Sequence, residues 1–172
     1  MLVGCGTYSL ETRALFQGAL ERRLGEQARA KIHALKARLS AASDPAARDA
    51  ALAELGAAYM AAESYDLLPD LEPVSEALLP DQAGHAQTWG DVLRLQALGS
   101  EPASFSAISA RTLLIHGDVD PHPGAATRDL LRPFIPGLQY VELDRCGHEP
   151  WRERHARDRF VALVREWLDS GP

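Results

Sequence analysis

Residues 112–120 read TLLIHGDVD and join a short apolar run to a turn that carries two acidic residues. An apolar run of this length, ended by Gly117, is typical of a buried parallel strand. Residues 124–132 then predict a short helix, and residues 138–143 alternate in polarity as a second strand does. Strand, helix and strand joined by short connections predict a right-handed unit built on a parallel sheet.

The C-terminal segment predicts one further helix that covers this sheet. Its apolar residues follow the spacing i, i+3, i+4, i+7 and i+8, which places them on one helical face. They are Phe160, Leu163, Val164, Trp167 and Leu168.

Helices dominate the chain on the N-terminal side of this unit. Apolar residues between Leu20 and Leu39 recur at helical spacing, with a break near Gly25, and Ser9 can cap the first of these helices. Asp44 followed by Pro45 is a start signal for another helix, because it puts an N-cap before proline at the first helical position.

Three further segments complete the predicted organisation. Residues 2–6 resemble the last part of a buried strand, and residues 64–83, with three prolines, predict an irregular connection. A helix is predicted to open at Thr88, with Asp91 three residues later, and to close at Gly99.

Composition excludes several classes of protein. The chain has 172 residues, of which 46% are apolar and 24% charged, and this composition is typical of one globular domain. A net charge of -6 argues against a nucleic-acid partner, and no apolar run reaches the ~20 residues that span a membrane. Cys5 and Cys146 are too few for a disulfide framework. Residues 2–5 look like a lipoprotein cleavage box, but the apolar segment that must precede such a box is absent from the sequence. We therefore expect a cytoplasmic protein.

The two predicted strand ends carry the candidate chemistry. Asp118 and Asp120 follow the first strand, and His148 follows the second. Carboxyl ends of neighbouring parallel strands lie ~5 Å apart, so an acid and a histidine there can meet. The acid can orient the imidazole, which then acts as a general base. We expect Asp120 to be that acid, and Asp118, closer to the strand, to fix the loop.

In their order along the chain, these motifs resemble the C-terminal part of an α/β-hydrolase. Gly117-x-x-Asp120 is similar to the family's acid loop, and Gly147-His148 to its histidine loop, followed by a terminal amphipathic helix. The resemblance implies an α/β fold with about three parallel strands: the end of the sixth strand (1–8), a mainly helical cap (9–99) and a C-terminal α/β part (100–172). In amino-acid sequence, residues 4–7 and 120–124 most resemble the branch of the family that includes prolyl iminopeptidases.

The resemblance implies a serine-triad hydrolase that acts on a small-molecule ester, amide or peptide. Its catalytic residues here would be Asp120 and His148, with no cofactor and no metal. The family's nucleophile motif, Gly-x-Ser-x-Gly, is absent from this sequence, so we expect the chain to be inactive alone. Its partner would be a missing N-terminal half or a second copy. The alternatives are a complementing subunit and a non-catalytic binding module derived from this fold.

Four other interpretations concern residues near the predicted site. Cys5 could be a resident nucleophile, but Val3 and Thr7 stand where the nucleophile turn needs small residues. Glu63 and Asp66 could bind a substrate amine, although a solvated helix end is the simpler interpretation.

The remaining two rivals concern metal binding and core packing. A metal could bind among the acids and histidines at the two strand ends, but the triad pattern disfavours this interpretation. The candidate ligands are Asp118, Asp120, His116, His122 and His148. His116 falls in the strand and is expected to pack in the core. Without the family's first five strands, one apolar sheet face and the edge of the first strand are expected to meet water.

Overall fold

A computed structural model describes residues 1–69 and 80–171. Its sheet has three strands, β1 (Leu2–Val3), β2 (Leu113–Gly117) and β3 (Gln139–Leu143), all parallel and in the order β1-β2-β3. Leu2 lies opposite Leu114, and His116 opposite Glu142. The predicted α/β class with a three-stranded parallel sheet is confirmed. The strand predicted over residues 2–6 is shorter, although the Gly4 N–H still donates to the Ile115 carbonyl at 3.1 Å.

The described residues contain seven α-helices. Two single-turn 3₁₀ helices, Ser104–Ala107 and Pro150–Arg152, accompany them. The helices are α1 (Leu10–Arg23), α2 (Glu26–Ala41), α3 (Pro45–Glu63), α4 (Gln82–Ala97), α5 (Ser100–Ala103), α6 (Gly124–Leu131) and α7 (Arg157–Asp169).

Local capping chemistry sets the first helix boundaries where the sequence predicts them. The Ser9 hydroxyl accepts the Thr12 N–H at 3.1 Å, and the Thr12 hydroxyl accepts the Ser9 N–H, a reciprocal capping box. The Asp44 carboxylate accepts the Ala47 N–H at 2.9 Å and starts α3. The predicted break near Gly25 separates α1 from α2.

The fourth helix begins earlier than the sequence predicts. Asp81, not Thr88, is its N-cap, because the Asp81 carboxylate accepts the Ala83 N–H at 3.0 Å. Asp49 of α3 accepts the Gln82 N–H at 2.9 Å. Two carboxylates therefore accept hydrogen bonds from first-turn amides of α4 that have no partner within the helix. Thr88 therefore lies inside α4. Of the irregular connection predicted over 64–83, residues 70–79 lie outside the described residues.

The sheet is covered on both faces, so the expectation of one exposed apolar face is wrong. Leu113 and Ile115 pack with Leu163 of α7 on one side, whereas Leu114 packs with Leu131 and its neighbours after α6 on the other. All five residues of β2 are buried.

The C-terminal helix buries a narrower face than its sequence predicts. Phe160, Leu163 and Trp167 pack in the core cluster beneath α7, but Leu168 is 70% exposed. At about 100° of rotation per residue, Leu168 falls at the edge of the apolar stripe, which explains its exposure.

Helices α1, α2 and α3 have a small core of their own. Residues from α1, α2 and α3 form this cluster, and it is separate from the two clusters on the sheet. Within the described residues, no helix is both long and apolar enough to cross a membrane. Large apolar side chains remain exposed on α1, on α4 and at the C-cap of α4, namely Leu10, Leu15, Trp89, Leu93 and Leu98. The buried residues of the cluster formed by the first three helices are Leu20, Leu24, Ile32, Leu35 and Leu55.

Candidate active site

The two predicted site residues meet at the carboxyl ends of adjacent strands. His148 Nδ1 lies 2.8 Å from Asp120 Oδ2, within hydrogen-bond distance. The Asp120 side chain is fully buried, whereas that of His148 is 25% exposed. Since an ionised carboxylate only accepts, Nδ1 carries the proton and Nε2 of His148 is the free basic nitrogen. The geometry therefore has an acid that orients an imidazole and leaves its outer nitrogen accessible.

Two more histidines contact the same carboxylate. Asp120 Oδ1 accepts the main-chain N–H of His122 at 2.9 Å and lies 3.0 Å from its Nδ1. His116, fully buried as predicted, brings Nδ1 within 3.2 Å of Asp120 Oδ2 but makes no aligned hydrogen bond there. Its Nε2 lies 3.3 Å from the Cys5 carbonyl. Asp120 is thus the centre of a three-histidine cluster, which the sequence indicated only by proximity.

The pKa values of His148 and His122 shift in opposite directions. Burial raises the pKa of Asp120, but its contacts with the three histidines outweigh burial and hold that pKa far below its usual range. Burial likewise opposes the charged form of His148, but the hydrogen bond and charge of Asp120 prevail and raise its pKa. In His122, burial dominates and lowers the pKa. His148 is therefore the more basic partner of Asp120.

Close backbone approaches hold the two loops together. A Cβ on Gly117 would collide with the Cys146 carbonyl oxygen, and a Cβ on Gly4 with that of His148. Gly4 also has a φ of +51°, which disfavours any side chain. Asp118 accepts the Cys146 N–H at 3.1 Å, so it links the loops after β2 and β3 as expected.

A cavity of about 310 Å³ opens beside His148, and its wall is the C-terminal half of α3. Glu63, the last residue of α3, lines it, and burial raises the pKa of the Glu63 carboxyl to about 7. Asp66 is instead engaged outside the cavity with Arg154 at 3.1 Å and His155 at 3.3 Å. Of the two acids considered for a substrate amine, Glu63 alone lines the cavity. Its lining residues are Gly56, Tyr59, Met60, Glu63, Ser64, His148 and Glu149.

Helix α1 contacts His122 and the acid loop through two residues that the sequence did not single out, Phe16 and Arg23. The Phe16 ring stacks on His122 at 4.0 Å, and His122 in turn stacks on His148 at 4.3 Å. The guanidinium of Arg23 donates to the main-chain carbonyls of Val119 and Ser64. Arg23 therefore joins the acid loop to the end of α3.

Glu153 is the residue that sequence reasoning missed most completely. It is fully buried, and its carboxylate accepts the main-chain N–H groups of Tyr65 at 2.8 Å, Asp66 at 2.7 Å and Gly147 at 3.1 Å. The first two follow α3, and the third immediately precedes His148. Glu153 therefore fixes the histidine loop against the segment that follows α3, although it is more than 80 residues from Tyr65 and Asp66 in the chain.

The two thiols are poor candidates for a nucleophile. Burial raises the pKa of Cys5, and also that of Cys146, to about 12 in the latter case. Since the thiolate is the reactive form, both thiols are held in the unreactive state at neutral pH.

Comparison with known proteins does not assign the chain to a family. No family model, curated protein or solved structure matches it.

Proposed function

We propose that this chain provides the acid, the histidine and the helical cap of a serine-triad α/β-hydrolase acting on ester, amide or peptide bonds. The observation that carries the proposal is the 2.8 Å contact between Asp120 and His148 at adjacent parallel strand ends. In this mechanism Asp120 holds the Nδ1 proton, and Nε2 of His148 takes a proton from a serine and later returns it to the leaving group.

The nucleophile in this proposal comes from outside the 172 residues. The sequence has no Gly-x-Ser-x-Gly, and both thiols have raised pKa values. The cavity beside His148 supports a small acyl substrate, because it has about 310 Å³ and a mainly apolar wall that includes Tyr59 and Met60.

The test is to find and trap the serine. The in-frame DNA upstream of Met1 is read for Gly-x-Ser-x-Gly within roughly a hundred codons, the size of the missing half domain. The extended chain, or a co-purifying partner, is then treated with a fluorophosphonate, which bonds covalently to an activated serine. We expect labelling that is lost in His148→Ala and kept in His155→Ala, whose histidine is exposed on the surface.

Two results would contradict the proposal. One is labelling that persists in His148→Ala, because the serine would then be activated without this histidine. The other is the absence of any upstream motif and of any co-purifying serine hydrolase half. That second result would favour the non-catalytic binding module.

A further inference from the structure

Three side chains beside the cavity form a group with the chemistry of a metal site. Glu63, His122 and His148 each offer one ligand atom, and these atoms lie within 4.8 Å of one another. Glu63 ends α3, whereas the histidines come from the loops after β2 and β3. Three different elements therefore converge on one point.

Both histidines are already oriented for ligation by the same carboxylate. Asp120 Oδ1 lies 3.0 Å from Nδ1 of His122, and Asp120 Oδ2 lies 2.8 Å from Nδ1 of His148. These contacts occupy both Nδ1 atoms and leave both Nε2 atoms as the free donors. Histidines that bind metals are almost always held in this way, by a carboxylate or carbonyl on the other ring nitrogen. The sequence pattern disfavours a metal because it does not reveal contacts of this kind.

We propose that Glu63, His122 and His148 bind one divalent transition-metal ion of the Zn²⁺ type, with Asp120 as the residue that orients both imidazoles. Two imidazoles and a carboxylate are a ligand set that zinc prefers, whereas Ca²⁺ and Mg²⁺ require mainly oxygen donors. The cavity gives an ion access, because both Glu63 and His148 line it.

The site must contract a little when the ion binds. Ligand atoms on one tetrahedral zinc lie roughly 3.3 Å apart, given bonds of about 2.0–2.1 Å. Glu63 has three rotatable bonds and a partly exposed side chain, so it can move to meet the histidines. This proposal goes beyond the hydrolase function, and the two states exclude each other, because a metal on Nε2 of His148 removes the general base.

Calorimetric titration of the chelator-treated chain with Zn²⁺ tests the site. We expect one ion per chain, and visible absorption of a low-coordinate Co²⁺ complex when Co²⁺ replaces Zn²⁺. Glu63→Gln and His122→Asn each remove one ligand and should weaken Zn²⁺ binding by about 100-fold. Asp120→Asn removes the orienting charge and should weaken it by about 10–100-fold.

Two matched controls separate a defined site from a generally attractive surface. Glu149 lines the same cavity but pairs with Arg152 at 3.0 Å, and His155 lies beside Asp66 on the surface. Glu149→Gln and His155→Asn should leave the affinity within about 3-fold of the original. Far-UV circular dichroism checks that each variant is folded. The proposal is overturned by unchanged affinity in folded Glu63→Gln, by an equal loss in Glu149→Gln, or by no saturable one-to-one binding.

Discussion

Substituting Glu153 by glutamine tests whether a buried carboxylate holds the histidine loop in place. Glutamine has nearly the same shape but keeps only one acceptor oxygen. Glu153 Oε1 accepts the N–H groups of Tyr65 and Gly147, and Oε2 accepts that of Asp66. In the best orientation the amide oxygen keeps the first two bonds. The amide nitrogen then faces the Asp66 N–H, and two donors are forced together.

The expected cost follows from these three hydrogen bonds. A hydrogen bond to a charged acceptor contributes about 1.5–3 kcal/mol, and a buried N–H left without a partner costs about 1–3 kcal/mol. Removal of a fully buried charge recovers part of its desolvation penalty, so the two costs are not fully additive. We expect Glu153→Gln to lower the free energy of unfolding by about 2–3 kcal/mol, or the melting temperature by roughly 5–10 °C.

Urea unfolding followed by circular dichroism measures this change. Glu166→Gln is the control, because Glu166 is 64% exposed and only pairs with Arg159 at 3.5 Å. Its effect should stay within about 0.5 kcal/mol. Amide hydrogen exchange should also become faster at residue 66 in Glu153→Gln, because the Asp66 N–H loses its acceptor. Equal stabilities of the two variants, or unchanged exchange at this amide, would refute the reasoning.

The remaining predictions concern activity, pH and association. In the proposed serine hydrolase, with its nucleophile supplied, Asp120→Asn should lower kcat by up to ~10⁴-fold because the amide holds the wrong imidazole tautomer, and Asp118→Asn should cost far less; the opposite ranking would make Asp118 the acid. The 172-residue chain should not hydrolyse p-nitrophenyl esters above background, and turnover that disappears in His148→Ala would contradict this. The Glu63 pKa of about 7 lies above the ordinary value of 4.5 for a glutamate, so its ionisation opposes folding as pH rises through this window. With EDTA present and after a discount for solvent screening, Glu63→Gln should stabilise the chain by about 2 kcal/mol at pH 8 and not at pH 4; equal effects at both pH values would contradict it. The exposed apolar side chains of α1 and α4 and the unpaired edge of β1 should make the chain bind the dye ANS and self-associate; a monodisperse monomer without dye binding would contradict this.

The elements that the sequence predicts well are those whose signal is local. The strand over 112–116 lies one residue from β2, because a buried run ended by glycine needs no distant partner to be recognised. Ser9 and Asp44 cap their helices with their own side chains. The same locality explains why Asp120 and His148 could be placed together, since both follow directly on neighbouring strands.

The features that sequence reasoning missed depend on contacts between distant residues. The start of α4 depends on Asp49 as well as Asp81, and a capping pattern at Thr88 gives no sign of that second acid. Glu63 was interpreted as a solvated helix end, and only the packing of α3 beside His148 places it in the cavity wall. Nothing within a few residues of Glu153 indicates that its amide partners lie before His148 and after α3.

Three acidic side chains make the position of His148 independent of any nucleophile. Asp118 links the loop after β2 to Cys146, Asp120 binds the imidazole, and Glu153 fixes Gly147 against the segment that follows α3. Each carboxylate accepts hydrogen bonds from main-chain amides or histidines rather than from lysine or arginine. Its position therefore does not depend on a long, flexible partner side chain. The main-chain N–H of His148 also donates to the Glu63 carbonyl at 3.1 Å, which ties the backbone of His148 to the end of α3. A histidine held in this way through both its main chain and its Nδ1 is preorganised, whether its Nε2 meets a serine hydroxyl or a metal ion.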